Sequence, residues 1–414
     1  MAQPAGTAVT PEGDAPLPAG SITCLALAAF GSGMALRVND ALLPRLAAEF
    51  SVTLGQAAQV VSVFAVAYGV AQLCFGPLGD RFGKYRVIAW GCLACALSSA
   101  LCALAPDFTQ LRLARGLAGI CSAAIIPLAM AWLGDVVPYA QRQPVLARFL
   151  IGQILGLSAG VWLGGFAADH LSWRAPYWLL AALFGSMCLT LLAFERRLPA
   201  RARAMRRSAG SPLERIVSDF AHVLASRWAR LILGCVFLEG LLLYGPFAFI
   251  AAHLHRVFGL SLSAAGSLLM LFGGGGFVFA LGAHRLVALL GEVGLVRWGG
   301  GLLAASLLAI AYAPAWGFAL AGSVGAGLGY YMLHNTLQVN ATQMTPERRG
   351  PAVSAFASCF FLGQSVGVAA AGALIGQLGT AAVIGLGALA LFVMALVFGG
   401  RLKVREAAAA NRPR

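Results

Sequence analysis

Long apolar runs separated by short polar breaks dominate the chain. Their length is that of membrane helices, since one crossing takes about 20 consecutive apolar residues. The pattern predicts twelve spans, at 22–44, 57–79, 87–105, 109–134, 149–168, 175–194, 231–252, 262–281, 298–314, 316–338, 351–378 and 380–400. The expected fold class is therefore an all-α integral membrane protein, with twelve transmembrane helices in two pseudo-symmetric six-helix bundles, 22–194 and 231–400. A linker at 195–230 joins them, and tails at 1–21 and 401–414 flank them. Within the linker, Ser211, Pro212 and Glu214 form a helix-start signal. Leu213, Ile216, Val217, Phe220, Val223, Leu224 and Trp228 then recur at helical spacing. The stripe fits either a helix lying on the membrane surface or one packed only on protein.

Composition agrees: 60% of the 414 residues are hydrophobic and 11% charged, which excludes a disordered chain and argues against a soluble globule. The net charge of +14 has three possible owners: nucleic acid, anionic lipid or topology. Its distribution decides among them. With both tails placed on one side, 23 of the 29 Lys and Arg residues fall on that side, and the other side keeps only Arg45, Arg174 and Arg256. That is the positive-inside bias of an inner-membrane protein with cytoplasmic termini, and no nucleic-acid partner is expected. The N-terminal stretch holds Pro4, Pro11, Pro16 and Pro18 but no basic residue, so it lacks the charged start of a signal peptide. All nine cysteines lie in apolar spans, which favours packing over disulfides or metal ligation. No metal or cofactor is expected, and no nucleotide-binding loop occurs.

The two halves echo one another. Gly152-Gln153-Ile154-Leu155-Gly156 in the fifth span recurs as Gly363-Gln364-Ser365-Val366-Gly367 in the eleventh, and Pro138 and Arg142 are matched by Pro346 and Arg349. The first span of each half carries one acid, Asp40 and Glu239. Such repeats are typical of transporters that bind substrate between their halves.

The run Gly76-Pro77-Leu78-Gly79-Asp80-Arg81-Phe82-Gly83-Lys84-Tyr85-Arg86 resembles the signature loop of the major facilitator superfamily. That resemblance implies a gating loop at Gly76, Gly79, Asp80, Arg81, Gly83 and Lys84, with Asp80 locking one conformation through an arginine or a helix N-terminus. The counterpart Gly282-Ala283-His284-Arg285 lacks the acid, leaving Arg285 and Arg349 as second-half gating candidates. Within the superfamily the chain is similar to the twelve-helix drug:proton antiporters and metabolite exporters. Asn39-Asp40 before Pro44, Arg115-Gly116-Leu117-Ala118-Gly119, and the packing glycines Gly156, Gly160, Gly164 and Gly165 carry this likeness. Val161 stands where the group has proline, Ala147 where it has the first glycine, and Ala118 where it often has glutamine.

Charge in hydrocarbon is costly, about 2.5–3.5 kcal/mol at a helix centre on insertion scales, so retained charges mark function. Asp40 and Glu239 are the two intramembrane carboxylates among 15 acids. Arg37 and Asp40, three residues apart, share a helix face. Asp40 is the expected proton site, modulated by Arg115 and Arg37; the alternative is a solvated helix-end residue. Glu239 is the candidate for a substrate contact or second proton site, favouring cationic ligands. Tyr331, Asn335 and Gln338 share one face of a polar tenth span, and His334 lies beside it. With Gln153 and Gln364, these residues form the expected substrate cavity. The function implied is proton-coupled efflux of a small organic molecule (a drug, a metabolite or a siderophore-like compound) by a monomer in contact with lipid. Proton symport or facilitated uptake of a nutrient or metallophore is the alternative. No intramembrane nucleophile or metal constellation suggests an enzyme.

Overall fold

The structure is a computed structural model, and it describes residues 18, 20–203 and 212–410. Every regular element among them is helical. The first half comprises α1 (Ser21–Arg37), α2 (Leu43–Glu49), α3 (Leu54–Ala57), α4 (Gln59–Phe82), α5 (Lys84–Leu104), α6 (Phe108–Ser122), α7 (Ile125–Val136), α8 (Tyr139–His170) and α9 (Ala175–Arg197). After α10 (Ala200–Arg203) and α11 (Pro212–Ala225), α12 (Arg227–Glu239) runs through a π-turn at Gly240–Tyr244 into α13 (Gly245–Phe247) and α14 (Ile250–Phe258). Then follow α15 (Leu262–Tyr312), α16 (Gly317–Gln343) and α17 (Arg349–Ala410).

Among the described residues, eight stretches are long and apolar enough to cross a membrane. Two are far longer than one crossing needs: α15 has 51 residues and α17 has 62. Each breaks once, at Gly291 (φ 61°, ψ −179°) and at Gly379 (φ 78°, ψ 164°). Outward-facing leucines such as Leu97, Leu104, Leu281 and Leu289 stay exposed, as lipid-facing helices require. The chain is thus a multi-pass integral membrane protein. One apolar core is built mostly from residues before 203 and a second mostly from residues after 220.

The repeated Gly-Gln sequences have a structural counterpart. A Cβ on Gly152, Gly156, Gly160 or Gly164 of α8 would lie 2.5, 2.1, 2.7 or 2.0 Å from the carbonyl oxygens of Ala26, Phe30, Met34 and Val38. On α17, Gly363 and Gly367 sit equally close to the carbonyls of Phe237 and Leu241. Gly165 packs instead against Leu262 of the other half.

Two expectations need correction. Gly76, Gly79, Asp80 and Arg81 belong to α4, which continues through Pro77 to Phe82; the turn is Gly83 alone, at φ 89°. Gly282–Arg285 is likewise helical, and the break comes later, at Gly291, so neither Arg285 nor Arg349 lies in a loop. Polar residues at a helix end can reach the headgroup layer without leaving the helix, so polarity alone mislocated both turns. Ser211, Arg206, Arg207 and most of the N-terminal tail lie outside the described residues. α11 packs against α12, α17 and α4, with Val223 buried and Val217 exposed.

Candidate functional site

Helix α1 ends at Arg37, and the chain turns through residues 38–42 before Pro44 opens α2. This interruption points Arg37, Asn39 and Asp40 into the protein, where all three are buried. Arg37 Nη1 lies 3.2 Å from Asp40 Oδ2, while Asp40 Oδ1 has no hydrogen-bond partner. Behind the pair, Arg115 of α6 donates to the carbonyls of Ala35 (3.0 Å) and Val60 (3.2 Å), and its guanidinium sits 4.2 Å from the Phe64 ring centre. With its amide nitrogen donating to Tyr177 Oη at 2.5 Å, Asn39 accepts Nε and Nη2 of Arg115 through its oxygen, each at 3.2 Å. Asp40 is therefore an interior ion-pair residue and not a solvated helix end.

The second half presents its acid from a matching interruption. Glu239 closes α12 immediately before the π-turn, where Pro246 cannot donate a backbone hydrogen bond. Glu239 Oε2 lies 2.7 Å from His334 Nδ1, so the carboxylate is paired, and its Oε1 has no partner. His334 stacks on Tyr330 at 4.9 Å and touches the Phe356 and Phe360 rings. Tyr330 in turn meets Tyr244 edge to face.

The two clusters join at Arg37, whose guanidinium carbon lies 3.7 Å from the Tyr244 ring centroid and 5.3 Å from that of Phe247. Arg37, Tyr244, Phe247, Phe272, Tyr331 and Ser158 are among the residues enclosing a central cavity of about 20 Å³, enough for a water molecule. Of the expected cavity residues, Tyr331 lines this space and His334 reaches Glu239. Asn335, Gln338 and Gln153 are half-buried elsewhere on their helices. Gln364 is fully buried, and neither of its amide atoms has a partner. Sequence reasoning missed Ser158, Phe272, and the Gln72 to Ser358 hydrogen bond of 3.0 Å between halves. A glutamine inside an apolar run was a usable signal for the last.

The gating candidates cluster within the first half. Lys84 Nζ bridges Asp80 Oδ1 (3.1 Å) and Asp135 Oδ2 (2.6 Å), and Leu128 packs where a Gly79 side chain would be. Among the described residues, Asp80 thus pairs with Lys84. Between halves, backbone comes into close contact at the end away from the basic residues. There a Cβ on Gly55 would lie 2.1 Å from the Gly372 oxygen, and Asp169 accepts the Ser263 backbone N–H at 2.6 Å. At the basic end, a Cβ on Gly76 would meet nothing within 4 Å.

The sequence profile of the Major Facilitator Superfamily matches residues 25–346. The MFS-type transporter YwfA of Bacillus subtilis is 27% identical over 301 residues, covering 72% of each chain. A chloramphenicol resistance protein of Streptomyces lividans is 27% identical over 295 residues, 68% of this chain and 72% of that protein. Among solved structures, a bacterial homolog of the human lysosomal transporter Spinster, inward-facing and unoccupied, superposes with a TM-score of 0.68 at 20% identity, covering 94% of this chain and 96% of that one.

Proposed function

Because the chain belongs to the Major Facilitator Superfamily and is a secondary transporter of small organic molecules, not an enzyme, we propose that it exports its substrate in exchange for protons. One observation carries this reading. Among the described residues, each half holds one fully buried carboxylate, Asp40 and Glu239, at an interruption of its first crossing, with a basic partner and one unpaired oxygen. A carboxylate kept in hydrocarbon beside a mobile cation suits reversible protonation during alternating access. Export is supported by the resemblance of the Asn39-Asp40, Arg115 and Gly156–Gly165 positions to the drug:proton antiporters, and by the likeness to the chloramphenicol resistance protein.

In this reading α15 and α17 each cross twice, giving twelve crossings in two sets of six, with the residues of 195–230 between them. The basic side is cytoplasmic, both termini lie there, and the membrane is an inner or plasma membrane. The halves, close at the far end and apart at the basic end, then correspond to an inward-open state. Asp40 is the main proton site, Arg37 and Arg115 tune it, and Glu239 with His334 forms the second. Tyr331, Asn335, Gln338, Gln153 and Gln364 contribute to the substrate path, and the Asp80–Lys84–Asp135 cluster to the gate. A potential of 100 mV supplies about 2.3 kcal/mol per charge moved, over tenfold accumulation before a pH gradient is added.

The test is transport in proteoliposomes, with a substrate chosen by comparing metabolites retained and exported in deletion and overexpression strains. Asp40→Asn is expected to abolish pH-driven accumulation while substrate counterflow persists. Normal pH-driven accumulation in Asp40→Asn would overturn the assignment.

A further inference from the structure

We propose that the face of Tyr244 is the substrate subsite, that it takes an uncharged planar aromatic molecule, and that the Arg37 guanidinium is its built-in competitor. The flat guanidinium lies 3.7 Å from the Tyr244 ring centre, in the place a stacked arene would occupy. With Arg37 there, the cavity has room only for water; its other walls include the Phe247, Phe272 and Tyr331 rings. Among the described residues, Arg37 is the one charged residue lining it, and Asp40 takes up that charge. No counter-charge remains in the wall for an ionised substrate.

The unpartnered Asp40 Oδ1 gives the displaced guanidinium somewhere to go. Leaving Tyr244, Arg37 can hold both carboxylate oxygens of an ionised Asp40 in a bidentate pair. A protonated Asp40 offers no such pair and leaves the guanidinium on the ring. Substrate and proton therefore exclude one another, the linkage that exchange requires, and this step rests on the proton exchange proposed above. Of the other groups, Arg115 from α6 acts on Asp40 and Tyr331 from α16 on Arg37; Tyr244 itself faces Tyr330 of α16 and Glu239 of α12, the latter held by His334, and Tyr177 from α9 reaches Arg115 through Asn39. α8 and α15 line the cavity with apolar side chains, Ser158 and Gly273.

The experiment is calorimetric titration of the purified full chain with naphthamide, methoxycoumarin and acridone, and with decahydronaphthamide as the non-planar control. Titrations at about pH 6 and pH 8, in buffers of different ionisation enthalpy, count released protons. We expect a planar probe to bind about tenfold tighter at the higher pH, with proton release, and the saturated control to bind weakly. Arg37→Gln should bind at least as tightly as the unaltered chain and lose the pH dependence; Arg37→Lys, charged but without a flat head, should bind more tightly than the unaltered chain at the lower pH. Tyr244→Phe should retain binding, and Tyr244→Leu lose about tenfold. Failure of all three planar probes to bind the unaltered chain, or weaker binding in a folded Arg37→Gln, overturns the proposal. Planar binding strengthened by Arg37→Gln without proton release upholds the subsite and sinks proton exchange.

Discussion

Among the described residues, His334 alone hydrogen-bonds a carboxylate that is otherwise sealed from solvent, so deleting it exposes the cost of burying Glu239. Removing one partner of a buried ion pair costs about 3–5 kcal/mol when the charge left behind stays ionised. His334→Ala should therefore lower thermal stability in detergent. The double variant Glu239→Gln/His334→Ala should recover most of the loss. A loss unrelieved in the double variant would show that His334 matters for packing against Tyr330 and Phe360 rather than for charge. Asp40 and Glu239 were legible in the sequence because an acid inside an apolar run has few explanations. The Arg37 stack on Tyr244 was not legible. It joins side chains from different halves, and no local pattern encodes that approach.

At the scale of helices, glycines separate into those that permit contact and those that permit a bend. Gly156 permits contact: an added methyl would lie 2.1 Å from the Phe30 carbonyl oxygen, which belongs to rigid backbone. Gly274 faces open space. Gly156→Ala should cost about 1–3 kcal/mol by overpacking, and Gly274→Ala close to nothing, as measured by melting in detergent. The repeated Gly-Gln motif lies on α8 and α17, and its glycines pack on the carbonyls of Ala26 and Phe30 in one case and of Phe237 and Leu241 in the other, partners the motif did not name. Gly291 permits a bend. Its φ of 61° with ψ of −179° is a glycine-only region, whereas Gly259, at φ 65° and ψ 17°, occupies the left-handed region that asparagine tolerates. Gly259→Asn should be nearly neutral and Gly291→Asn should cost about 1–3 kcal/mol. Equal effects would mean that the break in α15 does not depend on that conformation. Sequence polarity placed this turn in the 282–297 interval without locating it, since the helix runs on until one glycine breaks it.

For the whole molecule, alternating access requires the contact between halves to move from one membrane face to the other, and the tight end of the interface supplies a direct test. Along α3, α4 and α17 the halves touch at Gly55 and Gly372, then at Ser62 and Ser365, where the Ser365 hydroxyl donates to the Ser62 carbonyl at 2.9 Å, then at Gln72 and Ser358. At Gly76 an added Cβ would meet nothing within 4 Å. A transporter that binds substrate between its halves must separate Gly55 from Gly372 once per cycle. Cysteines in place of Asp169 and Ser263, which meet across the same end and leave the Gly55–Gly372 backbone contact undisturbed, in a background lacking the native cysteines, should form a disulfide under mild oxidation and stop transport, and reduction should restore it. A chain that keeps transporting with the bridge intact would show that this end never opens, which would confine substrate to the basic face. The outcome bears on the central cavity as well. Arg37 and Tyr244 come from opposite halves, so a bridge that holds the halves together at one end limits how far a substrate can part them at the centre.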